Sequence, residues 1–204
     1  MLRKLHLASG LIISIFVAMH LFNHYSAILG AEAHIQLMEG LRLIYRSTII
    51  EIVLLSAVLL QIFSGLKLFF VRFGNTRTAF EKLHIWSGLY LAFFLVVHVG
   101  AVLGGRFVLE LDTNFYFGIA GLNTFPFSLF FIPYYGLAIL SFFGHIAAIH
   151  EIKMKTVVLG LNPKKQSCLI LVVGLFLTLF VLYALTNGFD GVEIPETYHI
   201  LIGK

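Results

Sequence analysis

Two stretches of this chain repeat one another and carry histidines at the same offsets. Lys4-Leu5-His6-Leu7-Ala8-Ser9-Gly10 runs on to Phe16 and His20. Lys82-Leu83-His84-Ile85-Trp86-Ser87-Gly88 runs on to Phe94 and His98, each position 78 residues after its counterpart. Within each copy the histidines are 14 residues apart, which on an α-helix is about 21 Å of rise and roughly 40° short of whole turns. Each helix therefore presents two imidazoles on one face, one near each side of a membrane. Imidazole is a standard axial ligand to haem iron, and two per iron give an electron-transfer centre. Pairs at matched depth, His20 with His98 and His6 with His84, are geometrically able to clasp a porphyrin between two helices. Gly10 and Gly88, one turn past the inner histidine, leave the close approach that a flat macrocycle wants.

His145, in a later apolar run, is a further candidate ligand. His24 lies one turn beyond His20 on the same face and reads as a supporting or quinone-facing group. His34, His150 and His199 fall in or near turns and read as solvated. At each position a structural reading competes, because a membrane histidine can serve only as a hydrogen-bonding group between helices. Polar groups this deep are costly in hydrocarbon, so function is the default expectation.

The elements that must hold these side chains are apolar. Of 204 residues, 59% are hydrophobic and 12% charged, more apolar surface than a water-soluble domain of this length can hide; a bilayer can be its solvent. Runs near 5–29, 48–71, 84–104, 126–149 and 168–187 are long enough to cross a core of ~30 Å. The expected fold is an all-α integral membrane protein, one domain of five transmembrane helices. The first run is too long for a secretory h-region and reads as a retained span. Cys168 is the single cysteine, which excludes an intramolecular disulfide, a Cys-based zinc site and an all-Cys iron–sulfur cluster within the chain.

The sequence pI near 9.2 reflects basic residues flanking the spans, so nucleic acid is not an expected partner. Ten of the 14 Lys and Arg residues (Arg3, Lys4, Lys67, Arg72, Arg77, Lys82, Lys153, Lys155, Lys164 and Lys165) fall on one side. Arg42, Arg46, Arg106 and Lys204 fall on the other. That bias places the N-terminus in the cytoplasm and the C-terminus outside, in a cytoplasmic (inner) membrane. Residues 31–46 alternate apolar and charged positions like a short interfacial helix. Residues 105–125 read as an irregular outer loop, Pro126 as the start of the fourth span and Pro133 as a kink within it. Asn162-Pro163 reads as the last inner turn. The tail 188–204 is short and mildly acidic and suggests no role.

The stretch Leu5-His6…Gly10…His20-Leu21…Asn23-His24…Gly30-Ala31-Glu32-Ala33, followed by Met38-Glu39 and Ile50-Glu51-Ile52, resembles the membrane-anchor cytochrome b of succinate dehydrogenases and fumarate reductases. The likeness is to the type with one polypeptide, five spans and two haems, and the first 55 residues are its most specific part. The resemblance implies two b-type haems. An outer one would be held by His20 and His98, and an inner one by histidines of spans two and four, the latter matching His145. It also implies menaquinone or another quinone as redox partner, with cytoplasmic flavoprotein and iron–sulfur subunits acting on succinate or fumarate.

One position departs from the pattern: Gln61 stands where the family has its span-two histidine. Three arrangements follow. The inner haem is absent, or His145 takes His84 or His6 as partner, or His6 and His84 pair with each other, as in the cytochrome b of quinol:cytochrome c complexes. The expectation adopted is His84 with His145. Glu51, near the outer face, matches a family glutamate associated with proton release from menaquinol; an ion pair with Arg46 is the competing reading. Arg42, Tyr45 and Arg46 could contact haem propionates or anchor the interface. The function expected is quinone-linked electron transfer through haem. Rival readings are a lone quinone-linked cytochrome b, a haem or metal transporter, and a structural anchor without cofactor.

Overall fold

The computed structural model describes residues 1–72, 74 and 78–204, with Arg72 described in its backbone only. The Arg72 side chain and Arg77, counted above on the inner side, lie outside the described residues. Among the described residues, seven α-helices follow in order: α1 (Leu2–Tyr25), α2 (Ala31–Tyr45), α3 (Thr48–Arg72), α4 (Ala79–Phe107), α5 (Phe115–Ile119), α6 (Ser128–Lys153) and α7 (Pro163–Leu185). Short 3-10 turns cover Ser26–Leu29 and Glu196–Ile202. Among the described residues, five segments are long and apolar enough to cross a membrane: Leu2–Leu29, Thr48–Val71, Ala79–Phe107, Ser128–Lys153 and Pro163–Leu185. They coincide with the five apolar runs.

The helices outrun those apolar stretches because their caps are polar. Thr78 accepts from the Glu81 N–H while Glu81 accepts from the Thr78 N–H, at 3.1 and 3.0 Å. This reciprocal pairing starts α4 well before its apolar run. At the start of α7, Asn162 accepts from the Lys165 N–H at 2.9 Å and Pro163 opens the helix, where its missing N–H costs nothing. Asn162-Pro163 is thus a helix start as well as the end of a turn. Pro126 lies ahead of α6, which begins at Ser128, and Pro133 lies inside it.

The spans close into a ring. Helix α1 packs on α3, α3 on α4, α4 on α6 and α6 on α7, and α7 returns to α1. The two repeat helices, α1 and α4, are therefore not ring neighbours and face each other across the interior. Much of the outer surface is bare hydrocarbon: Ile15 is 67% exposed, Phe63 65% and Phe176 66%. Such a face suits a hydrocarbon surround, since contact with water forgoes the gain from burying it.

A buried cluster lies at one end of the bundle, the end that the charge bias would place outside and that is called outer below, not in mid-bundle. Phe115, Ile119, Val181, Leu185, Tyr198 and Ile202 belong to it. Here the structure corrects the expectation for 105–125 and for the tail. Helix α4 continues to Phe107, and Asn114 caps α5 by accepting from the Tyr116 N–H at 3.0 Å. The tail folds back so that the Tyr198 hydroxyl donates to the Asp112 carbonyl at 3.0 Å. Phe115 and Ile119 on α5, and Tyr198 and Ile202 on the final 3-10 turn, all contribute to this cluster. Such segments are too short to register as periodicity, yet together they cap the bundle.

Candidate functional site

The histidines fall at two levels, as their spacing requires. At the outer level His20 on α1 and His98 on α4 meet across the ring, with ring centroids 6.0 Å apart and planes at 67°. Imidazoles bound to opposite sides of one metal, each at about 2.0–2.1 Å, would have centroids roughly 6 Å apart. The separation therefore suits one iron between them. Each ring is braced by the phenylalanine four residues before it. Phe16 stacks on His20 at 5.6 Å and 19°, and Phe94 on His98 at 4.9 Å and 12°. The repeat thus conserves one device in both copies, a phenyl ring holding an imidazole on its helix face. Tyr135 on α6 stands edge-on to His98 at 6.2 Å.

In this arrangement His20 Nε2 is engaged, lying 3.1 Å from His24 Nε2. His24 Nδ1 is in turn 3.2 Å from His34 Nε2, to which the Asn23 amide also points at 3.1 Å. His20 must turn from His24 to bind a metal. His24, one turn beyond His20, links it to the His34–Asn23 cluster. His34 corrects the sequence reading: it is 2% exposed, not solvated, because α2 folds back and presses it against Asn23 and the Phe115 ring. Burial, reinforced by His20 and Arg42, pushes its pKa down to about 4. His150 and His199 are half-buried and bonded to Gln166 at 2.8 Å and to the Ile194 carbonyl at 3.0 Å.

The inner level holds His6, Gln61, His84 and His145. His84 and His145 are adjacent, stacked at 4.4 Å and 29°. That is closer than two ligands of one metal, so the pair must part by about 2 Å to admit one. His145 Nδ1 lies 3.2 Å from the His84 carbonyl, which can only accept. The proton is therefore on Nδ1, and Nε2 carries the lone pair, the arrangement that prepares an imidazole for ligation. His6 is differently placed. Ser64 donates to the Leu60 carbonyl, so His6 Nδ1 donates to Ser64 Oγ at 2.9 Å. Gln61 then donates to His6 Nε2 at 3.2 Å and accepts from the Ser9 hydroxyl at 2.6 Å. Both nitrogens of His6 are spoken for.

Glu51 forms its ion pair with Arg106 of α4, not with Arg46. Arg46 instead donates to Thr113 Oγ1 at 2.7 Å. Burial, with Arg42 and Arg106 nearby, pushes the Arg46 guanidinium below its ordinary pKa. Arg42 pairs with Asp112 at 2.8 Å. Sequence reasoning missed Arg106, Asp112 and Thr113 as partners because they lie more than 50 residues from the groups they touch. Ser9 and Ser87 could have been found, since both stand within the repeat.

Among the described residues no group of three or more His, Cys, Asp or Glu side chains is arranged to hold a metal ion. The imidazoles come as pairs across helices, the number a macrocyclic iron needs. Comparison of the chain with protein-family models, curated proteins and solved structures returned no match.

Proposed function

We propose that this chain is an integral-membrane b-type cytochrome passing electrons between a quinone pool and a partner. The observation that carries the reading is the His20–His98 pair: two imidazoles from repeat-related helices, with centroids 6.0 Å apart as two ligands of one iron would have, each braced by an equivalent phenylalanine. Haem bound there would supply a one-electron redox centre. His20 and His98 would hold it, and Phe16 and Phe94 would fix their ring planes. At the inner level His145, with Nδ1 held by the His84 carbonyl, would present Nε2 to a second haem, with His84 as partner. Glu51 would exchange protons with quinol at the outer face, a role that requires its carboxylate to part from Arg106. The protein would lie in the cytoplasmic membrane with its N-terminus inside. By the resemblance, its partner would be a cytoplasmic flavoprotein with an iron–sulfur subunit.

A second reading, a cytochrome b working without a dehydrogenase, is favoured by Gln61. The residue at the family's fourth ligand position is tied into a closed hydrogen-bond network with Ser9 and His6. A reduced-minus-oxidised spectrum of the purified protein tests both. An α-band of b type is expected, reduced in His20→Ala and His98→Ala by one haem per chain; its absence from the wild type ends both readings. Co-purifying flavin would favour the complex subunit, and its absence the lone cytochrome.

A further inference from the structure

Arg42 on α2 is the most conspicuous unspent donor in the outer half of the molecule. Its side chain is 13% exposed, and only Nη1 has a partner, Asp112 at 2.8 Å. Nε and Nη2 are buried with no hydrogen-bond partner among the described residues. These two N–H groups lie on the same side of the planar guanidinium and point in parallel, the fork that grips both oxygens of a carboxylate. Asp112, about half exposed, keeps its own charge solvated and leaves the fork free. One neighbour repeats the pattern: the Asn23 amide donates to His34 Nε2 at 3.1 Å, so His34 Nδ1 carries the proton, and it is buried and unpartnered in a residue 2% exposed. Buried groups of this kind are normally satisfied, so several in one place point to an occupant.

The position identifies that occupant. His34, Met38 and Arg42 follow at intervals of four on one face of α2, and His34 and Met38 are buried. Tyr45, one turn further, stands edge-on to Phe16 at 5.3 Å, and Phe16 is the ring stacked on His20. His34 and Tyr45, which flank Arg42 along α2, thus reach the cluster around His20 through His24 and Phe16. An occupant must bring a two-oxygen anion into the rim of that site. We propose that the Nε–Nη2 fork of Arg42, with His34 at its side, receives a haem propionate from the group held between His20 and His98. The assignment rests on the haem reading above. It gives the cap a function: Asp112 would hold Arg42 in place to receive the propionate.

Esterified haem tests this directly. The full-length apoprotein, produced under haem limitation and purified in detergent, is titrated with haem b and with its dimethyl ester. Wild type should bind haem b about 10- to 100-fold more tightly than the ester, the worth of a charge-assisted bond. In Arg42→Gln the two should bind alike, while Arg42→Lys, which keeps the charge without the fork, should discriminate only partly. Equal binding of both by wild type, or undiminished discrimination by Arg42→Gln, would mean that water or a small anion fills the fork; the propionate assignment would then fall while the haem reading stood. A wild type that takes up neither compound with a b-type spectrum would overturn both. Should Arg42→Gln not fold, the wild-type ratio and the lysine variant still decide.

Discussion

Gln61 on α3 holds the place that His145 holds on α6. Ser9 donates to Gln61 at 2.6 Å, and its repeat counterpart Ser87 lies 3.3 Å from His145 Nδ1. A Cβ on Gly10 would meet Gln61 first, and a Cβ on Gly88 would meet His145 first. The two halves, α1 with α3 and α4 with α6, are therefore built alike down to the groove in which the second helix lays its polar side chain. One half carries an amide there and the other an imidazole.

The amide is structural in this arrangement, so its removal should cost stability. Gln61→Ala leaves His6 Nε2 without a partner in an apolar surround, while the Ser9 hydroxyl falls back on the Leu5 carbonyl at 2.9 Å. Losing such a partner costs about 1–3 kcal/mol, read as a lower unfolding temperature in detergent. Ser87→Ala, which removes a longer contact, should cost less than 1 kcal/mol by the same scale. Equal shifts in the two variants would contradict the closed network around His6.

The paired glycines give an asymmetric expectation. A methyl group at residue 88 would lie 3.1 Å from His145 Cε1 and 3.3 Å from Nδ1, so the imidazole must move and its bond to the His84 carbonyl weakens. At residue 10 the nearest atom is Gln61 Nε2 at 3.4 Å, an ordinary contact. Gly88→Ala should lower the haem-to-protein ratio by up to one haem per chain. Gly10→Ala should leave that ratio unchanged and gain up to about 1 kcal/mol of helix propensity. A pyridine haemochrome assay on both variants separates the outcomes, and equal ratios would count against a ligand at His145.

Much of this was legible in the chain. Five apolar runs announce five spans, and a 14-residue spacing on two of them puts His20 with His98 and His6 with His84 at common depths. The structure adds what spacing cannot carry. His6 and His84 share a depth, but α3 intercepts His6 with Gln61 and Ser64, while α6 brings His145 against His84; ring order decides this, and ring order is long-range. The outer cap was missed for a related reason. His34 reads as a turn residue until α2 folds onto the end of α1, and Phe115 and Tyr198 find their partners only across the cluster.

Glu51 and Arg106 tie α3 to α4 at the outer level, with side chains 26% and 20% exposed. Removing one partner leaves the other charged and only partly solvated. Glu51→Gln and Arg106→Gln should each destabilise by roughly 2–3 kcal/mol, short of the range for a fully buried pair. The double variant should lose less than the sum, with a coupling of about 0.5–3 kcal/mol. Strict additivity would show that the pair does no work in the fold. Slower quinol oxidation in Glu51→Gln, with haem content intact, would tie the carboxylate to proton exchange; an unchanged rate would leave it a brace.

His34 should make the cap sensitive to acid. Its pKa falls from the usual 6.5 to about 4 in the folded protein, burial being the main cause. Between those values the unfolded chain binds a proton that the folded chain does not. Stability contributed by the neutral imidazole is therefore complete above about pH 6.5, declines as pH falls towards 4, and is flat below. His34→Asn removes this contribution along with some packing. The gap in unfolding temperature between wild type and variant should thus be widest at pH 7.5 and narrow by pH 4.5. A gap constant across that range would mean that His34 takes up its proton in the folded state as readily as in the unfolded one, and that the cluster with Asn23 and His24 opens to water.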